Sequence, residues 1–193
     1  MATKILKGVL LVGTTLALFS FDLPKGWFKA GTDPNDYEMI VDKGAGQDGK
    51  NAATIKSLEK NINGFGTLMQ NCSPEKYAGK RVRMTGYMKS KDVAESAAFW
   101  FRIDAKGSKE PSNFDNMNNR PIKGTTDWKK YEIVLDVASD ASNLAYGALL
   151  SGTGQIWFDK ITFEIVDNSV PSTNLYGDKK QSPQSPVNLD FED

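Results

Sequence analysis

Histidine is absent from this chain of 193 residues. Without an imidazole, Ser-His-Asp and Cys-His catalysis cannot operate, and zinc sites that need His ligands are excluded. The single cysteine, Cys72, cannot form an internal disulfide or a cysteine metal cluster. Any enzymatic activity would therefore have to use carboxylate or lysine chemistry.

The chain also lacks an excess of charge of either sign. It carries 24 Lys and Arg residues against 24 Asp and Glu residues, so its formal net charge is zero. A nucleic-acid-binding surface normally shows as a basic excess, and we therefore expect no nucleic-acid partner. With 39% apolar and 25% charged residues, the composition is that of a globular domain, and the length suits one domain of ordinary size.

The N-terminus has the pattern of an export signal. Lys4 and Lys7 precede an uncharged run over residues 8–21, and a helix of that length spans about 21 Å, short of the ~30 Å bilayer core. The pattern predicts a signal peptide over residues 1–20 and no transmembrane anchor. We expect an exported protein that is periplasmic, cell-surface or secreted, and a free thiol without disulfides suits a bacterial compartment. The alternative, a buried N-terminal helix, is less favoured because no polar face recurs at helical spacing.

Residues 21–166 show the pattern of a β-protein. Eight or nine short alternating segments are separated by Gly, Asn, Asp and Ser clusters, which are typical of turns. In the segment Ala97–Asp104, for example, Phe99 and Phe101 alternate with Trp100 and Arg102. The sequence therefore predicts an all-β fold, an antiparallel β-sandwich of the jelly-roll type.

Residues 167–193 have a different composition, rich in Ser and Pro. We expect residues 167–187 to be mobile, because so few apolar side chains cannot offset the entropy of ordering the chain. Leu189 and Phe191 alternate near the end. We expect residues 188–193 to be dispensable for folding, and the competing outcome is a terminal strand that docks on an open sheet edge.

Three segments resemble a known group of domains. They are Leu23–Trp27, Gly124–Trp128 and Gly152–Asp159, the last with the sequence Gly-Thr-Gly-Gln-Ile-Trp-Phe-Asp. Together they resemble the galactose-binding-domain-like jelly rolls, and among them the carbohydrate-binding modules of bacterial secreted proteins. The resemblance implies an exported, non-catalytic module that binds a polysaccharide or an oligosaccharide. Similar modules also precede peptidases and regulators, so the fold does not settle the function.

The resemblance also implies a structural calcium ion. In such modules an acidic residue at the position of Asp159 often helps to hold the ion next to the first strand, where Asp22 would contribute. The alternative is a β-bulge at Asp159–Lys160 that turns the carboxylate towards solvent or a turn amide.

The candidates for sugar binding are aromatic and planar polar side chains on the outer faces of the strands, together with polar residues of the loop 113–120. The set consists of Tyr87, Trp100, Arg102, Asp115, Asn116, Asn118, Arg120 and Glu132. The alternative places Trp100 under the loop 105–123 and gives the Asn-rich loop 113–120 a turn-forming role only. Trp27, Trp128 and Trp157 are predicted to be structural or core residues.

Two other functions compete with sugar binding. A β-sandwich could bind a protein partner or its own tail, in which case Tyr87 and Trp100 would be buried. A carboxylate hydrolase would need two acids at a set separation, and the sequence pairs none of its acidic candidates. Those candidates are Asp104, Asp115, Glu132 and Asp136. We therefore expect that the protein is not an enzyme.

Overall fold

The computed structural model describes residues 23–176, which fold into nine β-strands and a 3-10 turn at Pro34–Asp36. The strands are β1 (Phe28–Gly31), β2 (Tyr37–Asp42), β3 (Ala52–Ser57), β4 (Phe65–Cys72), β5 (Lys80–Ala105), β6 (Pro111–Asp115), β7 (Ile122–Val137), β8 (Ala141–Ser151) and β9 (Gln155–Val166). This confirms the predicted all-β jelly-roll sandwich. The predicted signal peptide, Asp22 and residues 177–193 lie outside the described residues. Within residues 23–176, no helix is long and apolar enough to cross a membrane.

The strands form two antiparallel layers. The front sheet has the order β1-β4-β8-β5-β6, and the back sheet has the order β2-β3-β9-β5-β7. Strand β5 belongs to both layers. Its first half, to Lys91, pairs with β7 and β9, and its second half, from Ser96, pairs with β8 and β6.

This shared strand was not expected from the sequence, which predicted separate strands over Lys80–Lys89 and Ala97–Asp104. The structure shows one bent strand of 26 residues. Asp92 has a φ of 53° between the two halves, a left-handed conformation that Asp tolerates better than most residues. The bend carries the chain from the back sheet to the front sheet without a loop.

The core lies between the two sheets. Met84 and Met88 from the first half of β5 and Phe99 and Phe101 from the second half are all buried, as their alternation predicts. Trp27 packs at the edge of this core, with its ring centre 5.8 Å from that of Tyr146. The predicted structural role of Trp27 is thus supported by its packing.

The prediction that Trp128 and Trp157 are core residues is wrong. Both are half-buried, and Trp157 lies beside Lys89 on the outer face of the back sheet. The Lys89 ammonium is 5.2 Å from the centre of the Trp128 ring and 4.6 Å from that of Trp157. The Trp157 indole N–H donates to Asp42 Oδ2 at 2.7 Å, which gives this polar atom a partner at the surface.

A β-bulge explains why the alternation of β9 changes phase. The pairing with β5 shifts register between Thr85 and Tyr87, and Lys160 has a φ of 54°. Ahead of the bulge Trp157 and Asp159 face outward, whereas beyond it Phe163 packs against the core. The bulge that the sequence analysis offered as an alternative for Asp159 is therefore present.

The surroundings of Asp159 do not fit a calcium ion. Its carboxylate accepts hydrogen bonds from the backbone N–H groups of Gln47 at 3.2 Å and Lys160 at 2.7 Å. The Lys160 ammonium is 2.9 Å from Gln47 Oε1 and 3.4 Å from Asp48 Oδ2. In the part of the chain that the structure describes, no three acidic or thiol side chains gather to ligate a metal, and calcium needs six to eight oxygens.

Residues 167–176, which we call the C-terminal strap, bind along the side of the sandwich. The Arg81 guanidinium donates to the carbonyls of Asn168 and Val170 at 2.7 Å each. The expectation that the tail is mobile is therefore wrong for residues 167–176. These residues contact folded strands, and hydrogen bonding offsets the ordering cost that their few apolar groups cannot.

The strap joins the exposed edges of the two sheets. The Thr173 N–H donates to the Val134 carbonyl of β7 at 2.8 Å, and the Leu175 N–H donates to the Phe114 carbonyl of β6 at 2.9 Å. Edge strands with unpaired backbone groups promote aggregation. The strap satisfies some of these groups and closes one open side of the sandwich.

Tyr37 makes the stability of the fold sensitive to high pH. Its side chain is buried, and the hydroxyl donates to the carbonyls of Gly64 at 3.1 Å and Gly152 at 2.9 Å. Burial, together with the charge of Glu95, raises the pKa of Tyr37 from 10.0 to about 12. The pKa of Tyr37 is thus higher in the folded state than in the unfolded state. Its neutral phenol makes its full contribution to stability at pH values below the unfolded pKa, and this contribution is lost as the pH rises through the folded pKa.

We predict that the free energy of unfolding falls between about pH 10 and pH 12, with Tyr37 contributing about 1.4 kcal/mol per pH unit. Chemical denaturation at several pH values measures this slope. In Tyr37→Phe the slope should decrease, although the protein is less stable at neutral pH because the buried hydrogen bond to the Gly152 carbonyl is lost. An unchanged slope in Tyr37→Phe would show that other groups cause the alkaline loss.

Candidate functional site

A groove of about 640 Å³ crosses the outer face of the front sheet. This volume lies within the range of about 300–1,000 Å³ that is typical of ligand pockets. Its walls are alternate residues of neighbouring strands, because every second side chain of a strand points to the same face. The lining residues are Ala30, Gly31, Phe65, Thr67, Met69, Asn71, Ser96, Trp100, Arg102, Asp104, Phe114, Asn116, Asn143, Ala145, Leu149 and Ser151.

Trp100 forms the middle of the groove floor. In the sheet register it lies next to Gly147, which in turn lies next to Met69. A Cβ at Gly147 would lie 2.3 Å from the Leu68 carbonyl oxygen, so only glycine permits this close approach of β4 and β8.

The polar atoms of the floor are satisfied within the protein. The indole N–H of Trp100 donates to Thr67 Oγ1 at 2.8 Å, and the Thr67 hydroxyl donates to the Ala148 carbonyl at 2.7 Å. These bonds fix the orientation of the ring. Trp100 is largely buried, with 8% of its surface exposed. The middle of the groove therefore offers an apolar surface and no free polar group from these two residues.

One end of the groove is polar. Arg102 Nε donates to Asp104 Oδ1 at 2.6 Å, and Asn143 Nδ2 donates to Asp104 Oδ2 at 2.9 Å. The opposite charges of Arg102 and Asp104 compensate each other. Among residues 23–176, the Arg102 Nη1 group has no hydrogen-bond partner, so it remains available to an acceptor on a ligand.

The strap lies against the rim of this polar end. Phe114, which lines the groove, receives a hydrogen bond from Leu175 N–H at its carbonyl and donates its N–H to Asn174 Oδ1 at 3.1 Å. Its ring centre is 6.0 Å from that of Tyr176. The position of Phe114 in the groove is thus coupled to the strap.

The structure brings three of the sequence-predicted ligand residues together in the groove, namely Trp100, Arg102 and Asn116. Tyr87 and Glu132 lie elsewhere, because they belong to the first half of β5 and to β7 and face outward from the back sheet. Asn118 is exposed in the turn after β6 and does not line the groove.

Asp115 and Arg120 require a correction. The Asp115 side chain is completely buried, and its Oδ2 is 2.6 Å from Arg120 Nη2. Its Oδ1 also accepts the Met117 N–H at 2.7 Å. Asp115 therefore cannot touch a ligand, and the pair instead holds the turn after β6 against the sandwich.

The acidic candidates for a hydrolase are dispersed. Of the four, Asp104 alone lines the groove, and both of its oxygens accept hydrogen bonds from protein groups. Asp136 pairs with Arg81 on the back sheet at 2.7 Å. The described residues thus form no facing pair of carboxylates in this groove.

Several lining residues were not predicted from the sequence, notably Phe65, Met69, Asn143 and Leu149. An alternation in β4 is visible in the sequence. Phe65, Thr67 and Met69 face the groove, and the small or buried positions Gly66 and Leu68 lie between them on the other face. What the sequence does not reveal is that β4 and β8 lie next to the second half of β5.

Comparisons with known proteins identify solved structures of the same fold and a curated protein that is similar in sequence. No protein-family model matches the chain. The structure resembles the CBM22-1 xylan-binding domain from Paenibacillus barcinonensis Xyn10C, with a TM-score of 0.53 and 16% identity over 75% of this chain and 88% of that chain. The chain has the jelly-roll fold of carbohydrate-binding modules.

Other proteins share this jelly roll at similarly low identity. The CBM22-1–GH10 modules of the Clostridium thermocellum xylanase 10B, complexed with xylohexaose, match with a TM-score of 0.55 and 12% identity, covering 74% of this chain and 26% of that one. A Stig cyclase from Fischerella sp. TAU matches with a TM-score of 0.53 and 14% identity, covering 77% of this chain and 89% of that one. At such identities the likeness establishes the fold alone.

A curated protein that is similar in sequence is described as a transcriptional regulator. The chain is 42% identical over 170 residues to a Bacillus subtilis (strain 168) protein described as an uncharacterized HTH-type transcriptional regulator, YbfP. The match covers 88% of this chain and 57% of that protein, so the chain spans a little over half of the relative's length. Residues 23–176 contain no helix-turn-helix, since their only helical element is the 3-10 turn.

Proposed function

We propose that the protein is an exported, non-catalytic module that binds carbohydrate in the groove of the front sheet. The observation that carries this proposal is the groove itself, in which the aromatic floor at Trp100 meets the polar group of Arg102, Asp104 and Asn143. The carbohydrate-binding modules of the same fold support it. Export rests on the pattern of residues 1–20.

The chemistry of the groove suits a sugar. The C–H face of a pyranose would pack on the aromatic side chains, of which Phe114 is half-buried at the rim. Its hydroxyls would accept from Arg102 Nη1 and exchange hydrogen bonds with Asn143 at the polar end. The polar end carries one positive side chain, Arg102, and one negative side chain, Asp104, so its net charge is close to zero. This favours a neutral sugar over an anionic one, because the carboxylate of an anionic sugar would also face Asp104.

The proposed role is binding without bond cleavage. Glycoside hydrolysis uses two carboxyl groups on either side of the scissile bond, about 5–9.5 Å apart. The groove contributes one carboxylate, Asp104, which is committed to Arg102 and Asn143.

Affinity electrophoresis on xylan, other plant and bacterial polysaccharides, and a glycan array tests this function. Arg102→Ala should weaken binding at least tenfold, because it removes the free donor at the polar end. Tyr87→Ala is the matched control, since Tyr87 lies on the back sheet and its loss should leave binding unchanged. Folded protein without retention on any glycan, or equal losses in both variants, would contradict the proposal.

A second candidate function follows from the relative named as a transcriptional regulator. The module would then sense a ligand and pass the signal to a partner or a following domain, and the strap at Phe114 is the contact through which it would do so. Hydrogen exchange of the strap amides Thr173 and Leu175, measured with and without a bound glycan, tests this role. A change in the protection of these amides on glycan binding would support a sensing role. Unchanged protection would contradict signalling through the strap and leave carbohydrate binding alone as the function.

Cell fractionation separates the two candidates by location. An exported module should be found outside the cytoplasm and should lack residues 1–20. Cytoplasmic protein with an intact N-terminus would contradict export and favour the regulatory role.

A further inference from the structure

We propose that the ligand of the front-sheet groove is a neutral glycoside that carries an apolar substituent, with the sugar at the polar end and the substituent along the middle of the groove. The inference rests on the proposed function, because it takes sugar binding at Arg102 as given. It goes further by naming the chemistry of the rest of the ligand.

The middle of the groove lacks partners for sugar hydroxyls. The sheet register places Ala30, Thr67 and Leu149 in one row and Met69, Gly147 and Trp100 in the next. Thr67 and Trp100 carry the only side-chain polar atoms of these two rows, and those atoms are bonded to each other and to the Ala148 carbonyl. A hydroxyl group placed there would lose its water without gaining a protein partner, which disfavours a chain of unsubstituted sugars along the groove.

The charged side chains of the groove are instead gathered at one end, whereas the hydroxyls of Ser96 and Ser151 lie in one row at the other end. Arg102, Asp104 and Asn143 lie beyond these two rows, with Asn71 in the same row as Arg102. At the opposite end the hydroxyl of Ser151 donates to Glu95 Oε2 at 2.8 Å, and the half-buried ring of Phe65 lies beside it. The groove is thus amphipathic along its length, and a ligand with one polar and one apolar part complements it.

The apolar part of the groove is long enough for a substantial substituent. The two apolar rows, at Ala98 and at Trp100 in β5, each take up two residues of strand, so together they extend about 13 Å at 3.3 Å per residue. Burial of each CH₂ group in such a site should increase affinity about fourfold until the groove is filled.

Isothermal titration with alkyl glycosides tests the inference. The probes are methyl, butyl, hexyl and octyl β-D-xylopyranosides and β-D-glucopyranosides below their micelle concentrations, together with xylohexaose and 1-hexanol. We expect affinity to rise about threefold to fourfold per added CH₂ for at least one sugar series, and hexanol alone to bind more weakly than the hexyl glycoside.

Two variants locate the apolar part. Met69→Gln keeps the shape of a half-buried groove residue and should flatten the dependence on chain length, so that the ratio of octyl to methyl glycoside affinity falls well below that of the unmodified protein. Leu58→Ser, at an exposed apolar position outside the groove, is the control and should change nothing.

The outcomes separate this inference from the proposed function. Binding of xylohexaose or methyl glycosides without any dependence on alkyl length would overturn the inference and leave carbohydrate binding intact. Hexanol binding as tightly as the hexyl glycoside would overturn both, because the sugar would then contribute nothing. Full chain-length dependence in Met69→Gln would overturn the placement of the substituent, and with it the inference.

Discussion

Deleting residues 167–193 should lower the melting temperature by about 5–15 °C, which corresponds to a loss of about 2–4 kcal/mol in a domain of this size. The deletion removes the strap and therefore the donors and acceptors that it supplies to Val134, Phe114 and Arg81. Val134 is completely buried although it belongs to an edge strand, and it would become exposed. Each lost hydrogen bond contributes about 0.5–1.5 kcal/mol, and the released entropy of the strap offsets part of the sum.

The matched control is a deletion of residues 177–193, which retains residues 167–176 and their hydrogen bonds to Val134, Phe114 and Arg81. Differential scanning fluorimetry on the full chain and the two truncated forms measures the difference. The longer deletion alone should lower the melting temperature and increase aggregation, because it exposes sheet edges. Equal melting temperatures for all three forms would show that the strap is not part of the cooperative fold.

Replacing Arg120 by Met should lower the free energy of unfolding by about 3–5 kcal/mol. Asp115 is completely buried, and Arg120 approaches it with both Nη groups, at 3.1 Å from Oδ1 and 2.6 Å from Oδ2. Without the guanidinium, the carboxylate stays buried with the Met117 N–H as its remaining hydrogen-bond donor among the described residues. Urea denaturation measures the loss.

Arg83→Met is the control for removing an arginine from the sandwich. Arg83 lies 3.6 Å from Glu132 and 3.1 Å from Glu164, and both carboxylates are more than half exposed, so the loss should be under about 1 kcal/mol. In the double variant Asp115→Asn/Arg120→Met, part of the stability should return, because the buried charge is gone. Similar losses in Arg83→Met and Arg120→Met would contradict the structural role of the pair.

The strands and their faces were predictable because alternation is a local property. In β5 the order of Val82, Met84 and Met88 against Arg81 and Arg83 is enough to separate the core face from the outer face. The bulge at Asp159–Lys160 was foreseen as an alternative because strict alternation would place the Asp159 carboxylate on an apolar face. Trp128 and Trp157 were misplaced because their cation–aromatic contacts with Lys89 depend on neighbouring strands.

The site was predictable only in part. Trp100 and Arg102 were found because alternation places both on the outer face of one strand, although Trp100 is largely buried there. Phe65 and Leu149 joined them through pairing between strands far apart in the sequence. Asp115 was misassigned because composition does not distinguish a buried ion pair from a ligand surface. The strap was misjudged because its stability comes from hydrogen bonds to β6 and β7, which a count of apolar residues ignores.

The central claim is that ligand binds on the front sheet, and the four tryptophans of the chain allow a direct test. Their indole N–H groups give four resolvable signals in a ¹H–¹⁵N NMR spectrum, assigned by single Trp→Phe variants. Trp100 lies in the groove, Trp27 packs at the edge of the core, and Trp128 and Trp157 flank Lys89 on the back sheet. Titration with a bound glycan or alkyl glycoside should shift the Trp100 signal and leave those of Trp128 and Trp157 in place. Shifts of Trp128 and Trp157 with an unchanged Trp100 signal would place the binding site on the opposite face and contradict the account.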